Sequence, residues 1–158
     1  MPSKASAACC PASTGRNWGE YWWGEGEKLL RLTEARCWDA DRGLLREGAG
    51  IDEYSQHTQS LAVLPGLLTG DRARAVMEKV LTDPELVPCS FMQRFYLFRA
   101  LEKTGMYDRT EALWDSWQEF IDLGCTTFPE TPYRPRSDCH GWSALPLWEF
   151  AADRPAAT

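Results

Sequence analysis

The sequence predicts an all-α chain built from helical hairpins, and three observations carry that prediction. Apolar residues recur at three- and four-residue steps in segment after segment, no run alternates apolar and polar residues for long enough to make a sheet, and short connections alternate with long ones. Stacked helical hairpins produce that alternation, with the longer loops gathered on one rim. At 158 residues the chain is long enough to bury roughly two-thirds of its unfolded surface in one core. No strict internal repeat is present, which argues against a regular solenoid.

Taken in order, residues 1–26 mix Ser, Ala, Pro and Gly with Trp18, Trp22 and Trp23 and show no sustained period. They are expected to be irregular, with a disordered tip. From Glu27 the pattern changes: Leu29, Leu30, Leu32, Ala35 and Trp38 predict a helix to about Asp39, and the stretch on to Gly50 reads as a turn with two strand-like residues. Ser55 is placed to cap a second helix over Gln56–Leu64 that Pro65-Gly66 ends. A third runs from Asp71 to about Leu81, with Ala75, Val76, Val80 and Leu81 along one side.

Asp83-Pro84 closes the third helix, and Ser90 to Thr104 forms a strongly apolar fourth ended by Gly105. A fifth is expected over Tyr107–Leu123, ending at Gly124, and a short last one over Gly141–Phe150. The expected organisation is an irregular segment at 1–26, a helical unit over 27–150 and a short tail at 151–158.

Composition narrows the function. A net charge of -6 argues against a binder of phosphate backbones, so no nucleic-acid partner is expected. No apolar run reaches the roughly 20 residues of a membrane span, so no membrane partner is expected either. The six cysteines (Cys9, Cys10, Cys37, Cys89, Cys125 and Cys139) are scattered without CxxC pairs, which predicts reduced thiols, a cytoplasmic setting and no structural metal or cofactor. Eight tryptophans in this length suit packed helices or a sugar-binding cleft.

The chemistry is concentrated between Gly124 and Phe150. Glu130 sits in a loop with Pro129, Pro132 and Pro135, whose fixed φ angles lower the entropy of holding a carboxylate in one place. On pattern alone a solvated loop acid is the commoner outcome. His140 lies at the head of the last helix, where an imidazole can meet a hydroxyl or serve as a cap. Trp142 can stack on a sugar or pack inward; composition favours packing. His57, beside Gln56 in the second helix, reads as a hydrogen-bonded core histidine. A Cys139–His140 nucleophile is disfavoured, because adjacent residues point their side chains apart.

Gly-Cys-Thr-Thr-Phe-Pro-Glu (124–130) followed by Arg-Ser-Asp-Cys-His-Gly-Trp-Ser-Ala (136–144) resembles the final part of the catalytic domain of bacterial α-L-rhamnosidases, the inverting six-hairpin enzymes of glycoside hydrolase family 78. Upstream, the stretch from Cys37 to Leu68, with its Trp-Asp turn and Ser-Gln-His helix, resembles an earlier part of the same domain. The resemblance runs from about Glu27 to Phe150. It implies helical hairpins forming about half of an (α/α)6 toroid, with rhamnose-containing glycosides as partner. It implies Glu130 as the general base that activates water, and His140 at the sugar subsite with Trp142 as a wall. Many members carry Trp directly before the glutamate, where this chain has Pro129.

In that family the general acid lies in an acidic motif well upstream of the Ser-Gln-His helix, and residues 1–26 contain no match to it. Inverting hydrolysis needs two carboxyl groups about 6.5–9.5 Å apart. The expectation is therefore a chain inactive by itself, reading as the later portion of a barrel and self-associating through exposed helical edges. The alternatives are a non-catalytic helical sugar-binding or interaction module, and another six-hairpin glycosidase such as a glucuronidase or a debranching type.

Overall fold

In the computed structural model, residues 17–131 and 136–151 are described. Among them are six α-helices and one two-stranded hairpin, so the chain is all-α as the apolar periodicity predicts. The helices are α1 (Trp18–Cys37), α2 (Gln56–Val63), α3 (Gly70–Thr82), α4 (Phe91–Lys103), α5 (Asp115–Asp122) and α6 (Leu145–Ala151). The strands β1 (Trp38–Asp39) and β2 (Leu44–Leu45) pair antiparallel, Trp38 opposite Leu45 and Asp39 opposite Leu44.

Helix α1 corrects one expectation: the chain is helical from Trp18, not irregular to residue 26. Asn17 caps it, its side chain accepting from the Glu20 amide at 3.3 Å. Within the first turns, Trp23 donates to Glu27 at 3.1 Å and Lys28 to Glu25 at 2.6 Å, contacts between residues three and four apart that offset the helix-weakening Gly24 and Gly26. The helix meets the rest of the chain through its last turn, where Cys37 joins the core and Glu34 pairs with Arg72 at 2.5 Å.

The hairpin that follows is held by Asp39. One of its carboxylate oxygens accepts the Asp41 and Arg42 amides at 2.9 and 3.1 Å, which makes the turn. The other accepts from Tyr54 Oη at 2.6 Å and Arg46 at 2.5 Å. Ser55 caps α2 as its position predicts, accepting from the Thr58 amide at 3.2 Å. Gln59, fully buried in α2, then ties the helix to the hairpin: it accepts from the Leu45 amide at 2.9 Å and donates to the Leu45 carbonyl at 2.7 Å.

Two apolar clusters form the interior. The larger joins the hairpin, α2, α3 and α4 around Leu44, Leu45, Val63, Met77, Leu97 and Leu101. The smaller, Phe91, Phe98, Trp117 and Leu145, joins α4, α5 and α6, with Phe128 packed against it. Helix α4 contributes to both clusters, because its apolar residues surround its axis instead of forming one stripe.

The expected single helix over Tyr107–Leu123 is divided. Tyr107–Trp114 is a 3-10 helix, and only Asp115–Asp122 is α-helical. At the junction the Arg94 guanidinium donates to the Leu113 carbonyl at 2.6 Å and to Ser116 Oγ at 2.5 Å, holding this segment to α4 where the helix changes pitch. The last expected helix is likewise split into a 3-10 turn, Gly141–Ser143, and α6, with Pro146 in the first turn of α6 where its missing N–H removes no helical bond. Buried Glu149 fastens α6 by accepting from Arg99 at 2.5 Å and from the Tyr107 hydroxyl.

Four cysteines are free among the described residues, Cys37 and Cys89 buried, Cys125 and Cys139 exposed; Cys9 and Cys10 lie outside them. Among the described residues, no helix is long and apolar enough to cross a membrane.

Candidate active site

The loop that carries Glu130 begins where α5 stops. Gly124 takes φ +77°, a conformation that L side chains rarely adopt, and its amide reaches the Ile121 carbonyl at 2.9 Å while that of Cys125 reaches Phe120 at 2.9 Å. This crossed pair satisfies the last carbonyls of α5 and reverses the chain. Residues 127–130 then run beside residues 137–140: the His140 amide donates to the Phe128 carbonyl at 2.6 Å, the Glu130 amide to the Ser137 carbonyl at 2.9 Å, and the Thr127 hydroxyl to the Asp138 carbonyl. Pro132 and Pro135, expected to stiffen the loop, lie outside the described residues. Phe128 anchors the arm by packing on the second apolar cluster.

This doubled loop brings Glu130 and His140 together. His140 Nε2 lies 4.0 Å from a Glu130 carboxylate oxygen, and the imidazole stacks on the Trp142 indole with centroids 4.2 Å apart and planes 27° apart. The Glu130 side chain is only 10% exposed, so it is not the freely solvated acid that its loop position suggests. Arg136 grips it from the solvent side, Nη2 at 2.6 Å from one oxygen and Nε at 3.2 Å from the other, with its own side chain 87% exposed. That bidentate donation holds the Glu130 carboxyl below the usual carboxylate value, against the opposing effect of partial burial, with His140 adding to the lowering. Glu130 is therefore ionised at neutral pH, the state a base requires.

Trp142 is exposed rather than packed inward, and it forms one wall of an open trough of about 330 Å³. Met92, Phe95 and Tyr96 of α4 and Trp148 of α6 also line it. The three predicted site residues thus form one row, carboxylate, imidazole and indole, beside a surface of aromatic rings. His57 stands elsewhere. It is partly exposed in α2, its Nε2 3.5 Å from Glu47, which corrects the expectation of a core histidine: His57 stands on the side of α2 that faces the Glu47 carboxylate, while Gln59 takes the inward position. Among the described residues, no group of His, Cys, Asp and Glu is arranged to hold a metal ion.

Two contributors stand inside the 136–144 motif without having been singled out as site residues. Arg136 is six residues from Glu130 in a proline-rich loop without periodicity, so nothing in the spacing pairs them. Ser143 sits in an apolar run, Trp-Ser-Ala-Leu, where a completely buried hydroxyl demands a partner. It has one in the Pro129 carbonyl, 2.5 Å away. The polar residue at an inward position is the clue that would have singled it out.

With this geometry in place, the fold can be set beside known structures. The chain is similar to a family 78 rhamnosidase of Bacillus sp. GL1, with a TM-score of 0.75 and 22% identity over 85% of this chain and 16% of that one. It is also similar to a rhamnosidase from Klebsiella oxytoca solved with rhamnose bound, with a TM-score of 0.71 and 24% identity over 85% of this chain and 29% of that one. Neither a protein-family model nor a curated protein sequence matches the chain. The likeness is one of fold: these helices resemble part of the rhamnosidase toroid, and the chain spans less than a third of the length of either neighbour.

Proposed function

We propose that the chain is part of an α-L-rhamnosidase-like glycoside hydrolase that acts on terminal α-L-rhamnosides with inversion. Glu130 is the general base, and His140 with Trp142 forms the sugar subsite. The observation that carries this reading is the Glu130–His140–Trp142 row, an ionised carboxylate 4.0 Å from an imidazole that stacks on an exposed indole. A sugar ring presents hydroxyls at its rim and C–H groups on its face, and that row offers an acceptor, a nitrogen partner and an apolar wall in sequence. The fold likeness to rhamnosidases supports the same assignment.

In this reading Glu130 takes a proton from a water molecule as that water attacks the anomeric carbon, on the face opposite the departing group. A second carboxyl must protonate the leaving oxygen. The upstream acid motif that the rhamnosidase resemblance calls for has no match in residues 1–26, so the chain by itself is proposed to bind rhamnose without turning it over.

Bidentate capture of Glu130 by Arg136 favours one other reading, a sugar-binding module without chemistry, since both carboxylate oxygens are engaged where a water would have to sit. Titration with L-rhamnose, followed by NMR at the Trp142 indole and His140 ring, tests the site they share; no perturbation at either ring sinks both readings. Hydrolysis of an aryl α-L-rhamnoside by the chain expressed with in-frame upstream sequence separates them. The enzyme reading expects Glu130→Gln to lower kcat by roughly 10²–10⁴-fold, and an unchanged rate removes Glu130 as the base.

A further inference from the structure

We infer that Ser143, backed by Trp117, is a positioning residue that sets Glu130 against His140. The inference rests on the proposal that these two side chains share one site. Ser143 is completely buried, and its Oγ lies 2.5 Å from the Pro129 carbonyl oxygen and 3.0 Å from that of His140. The first carbonyl belongs to the residue immediately before Glu130, and the second belongs to His140 itself. One hydroxyl therefore touches both arms of the loop at the points where the two site residues leave it.

The hydroxyl is in turn fixed to the core. The Ser143 carbonyl accepts from the buried Trp117 indole N–H at 2.9 Å. Trp117 packs against Phe91 and Trp114, with ring centroids 4.4 and 5.3 Å away. The position of the loop is thereby referred to α4 and α5 through a dry path. Arg136, the strongest partner of the Glu130 carboxylate, cannot supply that reference, since its side chain is 87% exposed and belongs to the same loop. A buried hydrogen bond in a low-dielectric setting is stronger than its solvated counterpart and costly to leave half-made, so removing the hydroxyl strands the Pro129 carbonyl and frees the arm.

A double-mutant cycle tests this. The Glu130 side-chain carboxyl is titrated by ¹³C NMR in the parent chain, in His140→Asn, in Ser143→Ala and in the pair. In the parent, His140→Asn is expected to raise the Glu130 midpoint, because it removes a partner 4.0 Å from the carboxylate. In the Ser143→Ala background the same change is expected to shift it measurably less, and Ser143→Thr, which keeps the hydroxyl, is expected to restore the coupling. Equal shifts in both backgrounds overturn the assignment, as does the absence of any shift in the parent.

Should Ser143→Ala lose its cooperative melt, Trp117→Phe takes its place under the same criterion, keeping a ring in the core while deleting the N–H. Rhamnose titration of the parent keeps the two claims apart. Lost coupling without rhamnose binding upholds the role of Ser143 and removes the sugar site, whereas rhamnose binding with undiminished coupling does the reverse.

Discussion

Arg136 meets both carboxylate oxygens of Glu130 from a side chain that is itself 87% exposed. A largely exposed cation thus controls the charge of a carboxylate that is only 10% exposed. Replacing Arg136 with Gln is expected to raise the Glu130 pKa toward the ordinary carboxylate value, since the side-chain hydrogen bond from Arg136 is the leading cause of its lowering. Because the folded value is depressed, the pairing stabilises the loop fully above the unfolded pKa, and that contribution is lost as pH falls through the folded one. NMR titration of the carboxyl checks both points. Raising the salt concentration is expected to shrink the effect in the parent, as an exposed cation is screened; a midpoint that does not move in Arg136→Gln contradicts the assignment.

Asp39 and Tyr54 give a second pH dependence, and it acts at both ends of the scale. The Tyr54 hydroxyl is the leading cause that holds the Asp39 carboxyl below its usual value, and the same bond pushes the Tyr54 phenol up to about 12. The depressed acid contributes stability above its unfolded pKa that disappears on acidification. The raised phenol contributes stability below its own unfolded value, lost as pH rises from about 10 toward 12. Tyr54→Phe is expected to flatten the urea-melt stability profile at both extremes while lowering it at neutral pH. A profile parallel to that of the parent would show that the pair does not set it.

Gln59 offers a sharper test of the tie between the hairpin and α2. Its amide satisfies the N–H and the C=O of Leu45 where no water reaches. Gln59→Leu keeps the bulk and strands both groups, at a cost of about 1–3 kcal/mol for each. In the second cluster, Phe98→Ala removes a fully buried ring packed on Trp114 and Tyr107, with an expected loss of about 3–5 kcal/mol. Chemical denaturation measures both. A loss under 1 kcal/mol for Gln59→Leu would mean that the hairpin finds other partners.

How much of this was legible beforehand follows from the range of each interaction. Helices α2, α3 and α4 were readable because their signals are local: Ser55 as a cap, Gly105 as a stop, apolar steps of three and four. The start of α1 was not, because Gly24, Gly26 and consecutive tryptophans hide a helix whose support comes from side-chain pairs on an exposed face. The 3-10 character of Tyr107–Trp114 was equally hidden, since Arg94, which braces its junction with α5, lies 19 residues before Leu113. In the site, Glu130, His140 and Trp142 were named from a motif, and their proximity in the fold adds a geometry that the motif lacked. Arg136 and Ser143 belong to the same motif, but their partners, the Glu130 carboxylate and the Pro129 carbonyl, are loop contacts that no periodicity pairs in advance.

Helix α1 leaves Trp22, Leu29 and Leu32 exposed, and steps of seven and three place them on one stripe. All three side chains are more than half exposed, so nothing among the described residues covers that stripe. A contiguous exposed apolar stripe marks an interaction surface. When the chain is alone, the available apolar helix is that of a second copy. Sedimentation velocity at tens of micromolar is therefore expected to show self-association that weakens when Trp22→Glu and Leu29→Glu put charge on the stripe. Because those positions are solvated in the monomer, the melting temperature at low concentration should change little. A parent chain that sediments as a monodisperse monomer over that range would show that the stripe tolerates water, and the case for a partner on α1 would fall with it.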